Sequence, residues 1–103
     1  MRSKKECMHD QKVRELEKEL LASGQADATR TFMMYYSRGK YGEVDLLASL
    51  GDPPRFTFYE IKCVDRLQKA TSQYQRFLRA NHWTPEECPG YMVVVKGNKR
   101  VRL

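Results

Sequence analysis

The 103-residue chain predicts a single α/β domain, two helices flanking a mixed β-sheet. Three observations predict it. Apolar residues recur at helical spacing in two segments, 9–22 and 66–81. Runs rich in aromatic and β-favouring residues lie between and after them. Glycine or proline clusters at 38–42 and 51–54 separate those runs. The order reads helix, three strands, helix, strand.

In the first helix, residues 9–22, Val13, Leu16, Leu20 and Leu21 share one face and Ser23-Gly24 gives the stop signal. The segment 29–37, TRTFMMYYS, predicts the first strand. A turn, Arg38 to Gly42, leads to a second strand from about 43 to 50. Gly51-Asp52-Pro53-Pro54 breaks the chain before a third strand, 55–64. Asp65 is placed to cap a second helix, 66–81, whose apolar face is Leu67, Ala70, Tyr74, Phe77 and Leu78. Thr84-Pro85-Glu86 predicts a short helical turn, with Thr84 as its cap. Residues 91–96, YMVVVK, predict a fourth strand, GNK at 97–99 a hairpin turn, and VRL a short last strand. The short loops predict an antiparallel meander for strands one to three. The second helix is long enough to cross over to a parallel fourth strand.

Composition narrows the function. Net charge is +6, which favours a polyanionic partner such as nucleic acid. No run of about 18 apolar residues predicts a membrane span. The opening MRSKKECMHD lacks the apolar core of a secretory signal, so an intracellular, cytoplasmic location is expected. Cys7, Cys63 and Cys88 are scattered and form no CxxC pair, which points away from a zinc site or a disulfide framework. Cys63 is expected to be a small buried side chain. His82 reads as surface and Trp83 as packing.

Charged residues interrupt the second and third strands. Glu43 and Asp45 share one face of one strand, and Glu60 and Lys62 share one face of the next. Paired strands lie about 4.8 Å apart, so Asp45 and Glu60 can reach one hard cation between them. Carboxylate oxygens suit Mg²⁺, which keeps several waters and takes one or two protein carboxylates plus substrate phosphate. The Ile61 backbone carbonyl is a further candidate ligand. Lys62 beside such a cation can position the attacking water or stabilise charge on a phosphate. Glu43 is expected to line the same face. Arg38 and Lys40 precede the second strand, where Gly39 and Gly42 permit close approach to phosphate. Arg66, Lys69, Arg76 and Arg79 form a candidate phosphate-tracking face on the second helix. Tyr35, Tyr36 and Tyr41 are candidates for base stacking, for the core or for a dimer contact.

Asp45 followed by Glu60-Ile61-Lys62 resembles the PD-(D/E)XK nuclease superfamily, which has the restriction-endonuclease-like αβββαβ core. With the small size, the first helix and SQYQRF, the chain is most similar to archaeal and viral Holliday junction resolvase-like nucleases. The motif's usual proline before the aspartate is Val44 here. The resemblance implies a Mg²⁺- or Mn²⁺-dependent DNA endonuclease. Asp45 and Glu60 would hold the metal, with the Ile61 carbonyl, and Lys62 would be catalytic. It implies a first-helix residue completing the metal site, with Glu15 the first candidate and Glu19, Glu6 and His9 behind it. It also implies a polar residue from the second helix near the site. Gln73 fits, and Gln75 lies about 200° away around the helix at about 100° per residue. The implied reaction is in-line attack of water on a phosphodiester, the 3′ oxygen leaving. Branched or structured DNA and a homodimer follow from the same resemblance. The exposed strand four or the tyrosines of strand one are candidates for the dimer contact. The alternatives are a non-catalytic nucleic-acid-binding module of the same fold and a protein-interaction domain.

Overall fold

The sheet has the order β1-β2-β3-β4-β5, with α1 and α2 packed on it. The computed structural model describes residues 4–35 and 41–103, with side chains for 8–31 and 43–103. In chain order the elements are α1 (Lys4–Ser23), β1 (Ala28–Tyr35), β2 (Tyr41–Leu50), β3 (Arg55–Lys62), α2 (Leu67–Asn81), β4 (Gly90–Val94) and β5 (Lys99–Arg102). β1, β2 and β3 form the expected antiparallel meander. α2 carries the chain across to β4, which pairs parallel to β3. β5 then pairs antiparallel to β4. Among the described residues, no helix is long and apolar enough to cross a membrane.

Each face of the sheet has its own apolar layer. Val13, Leu16 and Leu20 of α1 pack with Leu46, Ala48, Tyr59, Ile61 and Val93. Tyr74, Phe77 and Leu78 of α2 pack with Val44, Phe58 and Cys88. Alternation explains this, because Phe58 and Tyr59 point to opposite faces of β3. Trp83 stacks on Phe56 with ring centroids 5.1 Å apart and meets Phe77 edge-on, which confirms its packing role.

Several expectations change in detail. Leu21 and Leu67 are exposed, because each sits at the margin of its helix's apolar stripe. α2 begins at Leu67, one residue later than expected. Arg66 is the N-cap, and Asp65 accepts the Leu67 N–H at 3.2 Å. The expected short turn capped by Thr84 is present: Thr84 and Glu87 cap each other reciprocally, at 3.2 and 3.1 Å, and the Cys88 N–H returns to the Thr84 carbonyl at 3.0 Å. The hairpin turn starts at Val95, and Gly97 and Asn98 hold the positive φ values it requires. β4 is flanked by β3 and β5, and Met92, Val93 and Val94 are buried, so it offers no exposed dimer face. Arg38, Gly39, Lys40 and Tyr36 lie outside the described residues. The side chains of Tyr35, Tyr41 and Glu6 do too.

Candidate functional site

The site begins with an irregularity in β2. Arg30 pairs with Leu47 and Phe32 with Val44, so β2 advances three residues while β1 advances two. The extra residue falls at Asp45–Leu46. Val44 and Leu47 consequently share the α2-side layer, a spacing that a regular strand of period two does not allow. A bulge of this kind re-aims a side chain. The ladder between β2 and β3 runs from Leu50 opposite Arg55 to Leu46 opposite Tyr59. Beyond it β3 continues beside β4 as far as Lys62. Asp45 therefore sits where β2 parts from β3, and its Oδ2 accepts the Ile61 N–H at 2.8 Å.

Glu60 and Lys62 follow on β3, two residues apart and on one face. Asp45 and Glu60 are the buried charged residues of the described core, at 3 % and 2 % exposure. Lys62 Nζ lies 3.7 Å from Glu60 Oε1. Glu60 Oε2 is buried with no hydrogen-bond partner. Burial, then the neighbouring Asp45 carboxylate, pushes the Glu60 carboxyl up to about 10. Burial also works to raise Asp45. Hydrogen bonds from His9, Glu60 and the Ile61 N–H outweigh it and hold Asp45 below the usual carboxylate range. The two carboxyls thus divide their roles, one ionised and one protonated.

The ionised partner is held by His9. Its Nε2 lies 3.2 Å from Asp45 Oδ2, and this bond raises the imidazole to about 9. Glu15, the first-helix residue expected at the metal site, is exposed and accepts a hydrogen bond from Gln11 at 3.2 Å. Helix geometry explains the correction. At about 100° per residue, His9 lies within about 40° of Val13 and Leu16, while Glu15 lies about 120° around the helix from His9. Glu19 is turned outward as well, against Arg100 at 3.4 Å. Running the α1 stripe back four residues from Val13 was the signal that singles out His9.

A cavity of about 360 Å³ opens over the carboxyl pair. His9, Glu43, Lys62 and Gln73 line it, as do Arg66 and Lys69. Gln73 presents a buried Oε1 with no partner, whereas Gln75 is exposed. Arg76 lies in the adjoining groove. Cys63 is only half-buried and borders the cavity, contrary to the expected core position, because β3 ends at Lys62. Arg38 and Lys40, expected at the rim, fall outside the described residues.

Among the described residues, no group of three or more His, Cys, Asp or Glu side chains is arranged to hold a metal ion. The donor set at hand is two carboxylates and the Ile61 carbonyl, with the Asp45 Oδ2 already engaged. That set fits a hydrated hard cation, which takes one or two carboxylates and completes its shell with water. The orphaned Glu60 Oε2 fits it too, since an ionised Glu60 needs a countercharge. No family model, no curated protein and no solved structure matches the chain. Fold and site together define a small α/β domain with a buried carboxyl pair at the splayed end of a mixed sheet.

Proposed function

We propose that the chain is a metal-dependent DNA endonuclease of the PD-(D/E)XK type, with a restriction-endonuclease-like core. The observation that carries this reading is the buried Asp45–Glu60 pair with Lys62 3.7 Å from Glu60, inside a cavity bordered by cations. Burying two carboxyls beside each other costs stability, and such costs concentrate where chemistry is done. Lys62 next to a buried glutamate on one strand face is the arrangement the motif requires.

Asp45 and Glu60 would hold Mg²⁺ or Mn²⁺, with the Ile61 carbonyl as a further ligand. When bound, the cation stabilises charge on the scissile phosphate and acidifies a bound water. The chain's own groups do the rest. His9 keeps Asp45 ionised and oriented. Lys62 donates to a phosphate oxygen or orients the attacking water. Gln73 accepts a hydrogen bond from that water or from the Lys62 ammonium through its unpartnered Oε1. Arg66 and Lys69 hold flanking phosphates. Branched or structured DNA is the proposed substrate. Two symmetric cuts in a junction need two copies of the site, hence a homodimer.

The test is cleavage of labelled four-way junction, linear duplex and single-stranded DNA in Mg²⁺, in Mn²⁺ and in EDTA, beside Glu60→Ala. Cutting that needs the metal and is lost in the variant is the expected result. Binding without cutting, unchanged by Glu60→Ala, would leave a nucleic-acid-binding module and overturn the enzyme.

A further inference from the structure

Beyond Lys62 the cavity of the carboxyl pair runs into a second one of about 530 Å³. Lys62, Lys69 and Gln73 line both, so the two are continuous. Gln68, Ser72 and Arg76 complete the second. Positions 69, 72, 73 and 76 are spaced i, i+3, i+4 and i+7, so they form one face of α2. Residues 66–85 contain no Asp or Glu, and Lys69 and Arg76 are exposed. Seven residues separate these two cations, about 10 Å along the helix axis. The first cavity is mixed in charge. Among the described residues that line it, Glu43 and Asp45 come from β2, with His9 of α1 against Asp45, and Glu60 comes from β3, while the cations Lys62, Arg66 and Lys69 lie on the side of β3 and α2.

We propose that this groove binds a single-stranded stretch of nucleic acid and leads it to the carboxyl pair. Lys69 and Arg76 hold successive parts of its phosphate backbone, and Gln68 and Ser72 donate hydrogen bonds to it. One file of cations matches one row of phosphates. A duplex presents two rows, and the second would find no file of cations and would face the exposed Glu43 of β2. Delivery to a cutting site rests on the nuclease reading, whereas binding in the groove does not. DNA and RNA single strands carry the same backbone phosphates, so the shared chemistry is the single-strand phosphodiester.

Fluorescence anisotropy in EDTA tests it, with the hydrolytic site idle. The probes are oligo-dT and oligo-U of about 12 nucleotides and a duplex of equal length. The variants are Lys69→Gln with Arg76→Gln, and a charge-matched control, Arg14→Gln with Lys18→Gln, at exposed positions of α1 outside the groove. Single strands are expected to bind more tightly than duplex. The groove variant is expected to lose tenfold or more in affinity, and the control threefold or less. The slope of log affinity against log salt should fall by about 1.4, at about 0.7 per lost phosphate contact on a single strand. Tighter binding of dT or of U identifies which strand the groove prefers, and either supports it. Preference for duplex, or equal losses in the two variants, would overturn the groove. Cleavage by a protein that fails this assay would leave the nuclease intact. Groove binding by a protein that cuts nothing would leave the groove intact.

Discussion

His9 Nε2 of α1 and the Ile61 N–H of β3 converge on one oxygen, Asp45 Oδ2, at 3.2 and 2.8 Å. A single carboxylate oxygen thereby ties the first helix to the point where β2 and β3 part. The tie is ionic on both sides, since His9 is raised and Asp45 lowered by the same contact.

His9→Ala removes that contact and leaves Asp45 with the Ile61 N–H and the Glu60 carboxyl. Hydrogen bonds to charged groups contribute about 1.5–3 kcal/mol, so a loss of that order is expected at pH 7. The histidine's contribution is fully present below its unfolded value of 6.5 and fades as pH rises through about 9. Urea unfolding in EDTA at about pH 7 and about pH 10 checks it. A loss of equal size at both pH values would show that the imidazolium is not what holds Asp45.

Glu60 gives a second pH dependence of the same sign. Its carboxyl is raised from 4.5 to about 10. Between those values the unfolded chain has released a proton that the folded chain keeps, so stability falls as pH rises. Glu60→Gln removes the titrating group while keeping its shape. In EDTA the variant's melting temperature should exceed that of the parent at pH 8 and should fall less steeply with pH. The residual slope belongs to His9 and, above about pH 9, to the Cys88 thiol, which burial pushes up to about 11. Parallel melting curves across the range would contradict a buried protonated carboxyl. Added Mg²⁺ should raise the melting temperature of the parent and leave Glu60→Gln nearly unmoved.

Element order was legible in the residues because each helix keeps its 3.6 period and each strand is bounded by a breaker. Asp45, Glu60 and Lys62 were legible because charges rarely stand in apolar strands. The bulge at Asp45 was not. Val44 to Leu47 contains no Gly or Pro, and the extra residue exists only relative to the pairing with β1. Glu43 and Asp45 precede it and line one cavity as expected, but Asp45 and Leu46 no longer alternate, which a regular strand does not allow. The choice of Glu15 over His9 failed for a related reason. It ranked residues by chemistry, while the stripe through Val13 and Leu16 had already fixed which side of α1 meets the sheet.

Gly90, the first residue of β4, meets Tyr74 of α2 closely. A Cβ added at Gly90 would lie 2.5–2.7 Å from three atoms of the Tyr74 ring. That ring cannot swing away cheaply, because its hydroxyl donates to the buried Cys88 carbonyl at 2.6 Å and it packs 5.3 Å from Phe58. Gly90→Ala should therefore destabilise the fold by about 1–3 kcal/mol, the usual cost of overpacking a core. Combining it with Tyr74→Leu should cost less than the two single losses added together, because the clash is then shared. Chemical denaturation of the four proteins decides, and strict additivity would count against a ring–backbone conflict.

Lys62 separates chemistry from stability. Lys62→Met keeps the apolar stem and removes the ammonium. Glu60, 3.7 Å away, is protonated in the absence of a cation, so little ion-pair energy is lost. The melting temperature in EDTA should hold within about 1 kcal/mol equivalent, the scale of a weak pair. Turnover of DNA in Mg²⁺ should fall by about 10²–10³-fold, the usual cost of losing one preorganised donor to developing charge. KM should change little, because Lys69 and Arg76 still hold the flanking backbone. Single-turnover cutting rates, read beside the melting curves, check both halves. A variant that unfolds would make Lys62 a structural partner of Glu60, and one that cuts at the parent's rate would remove it from the reaction.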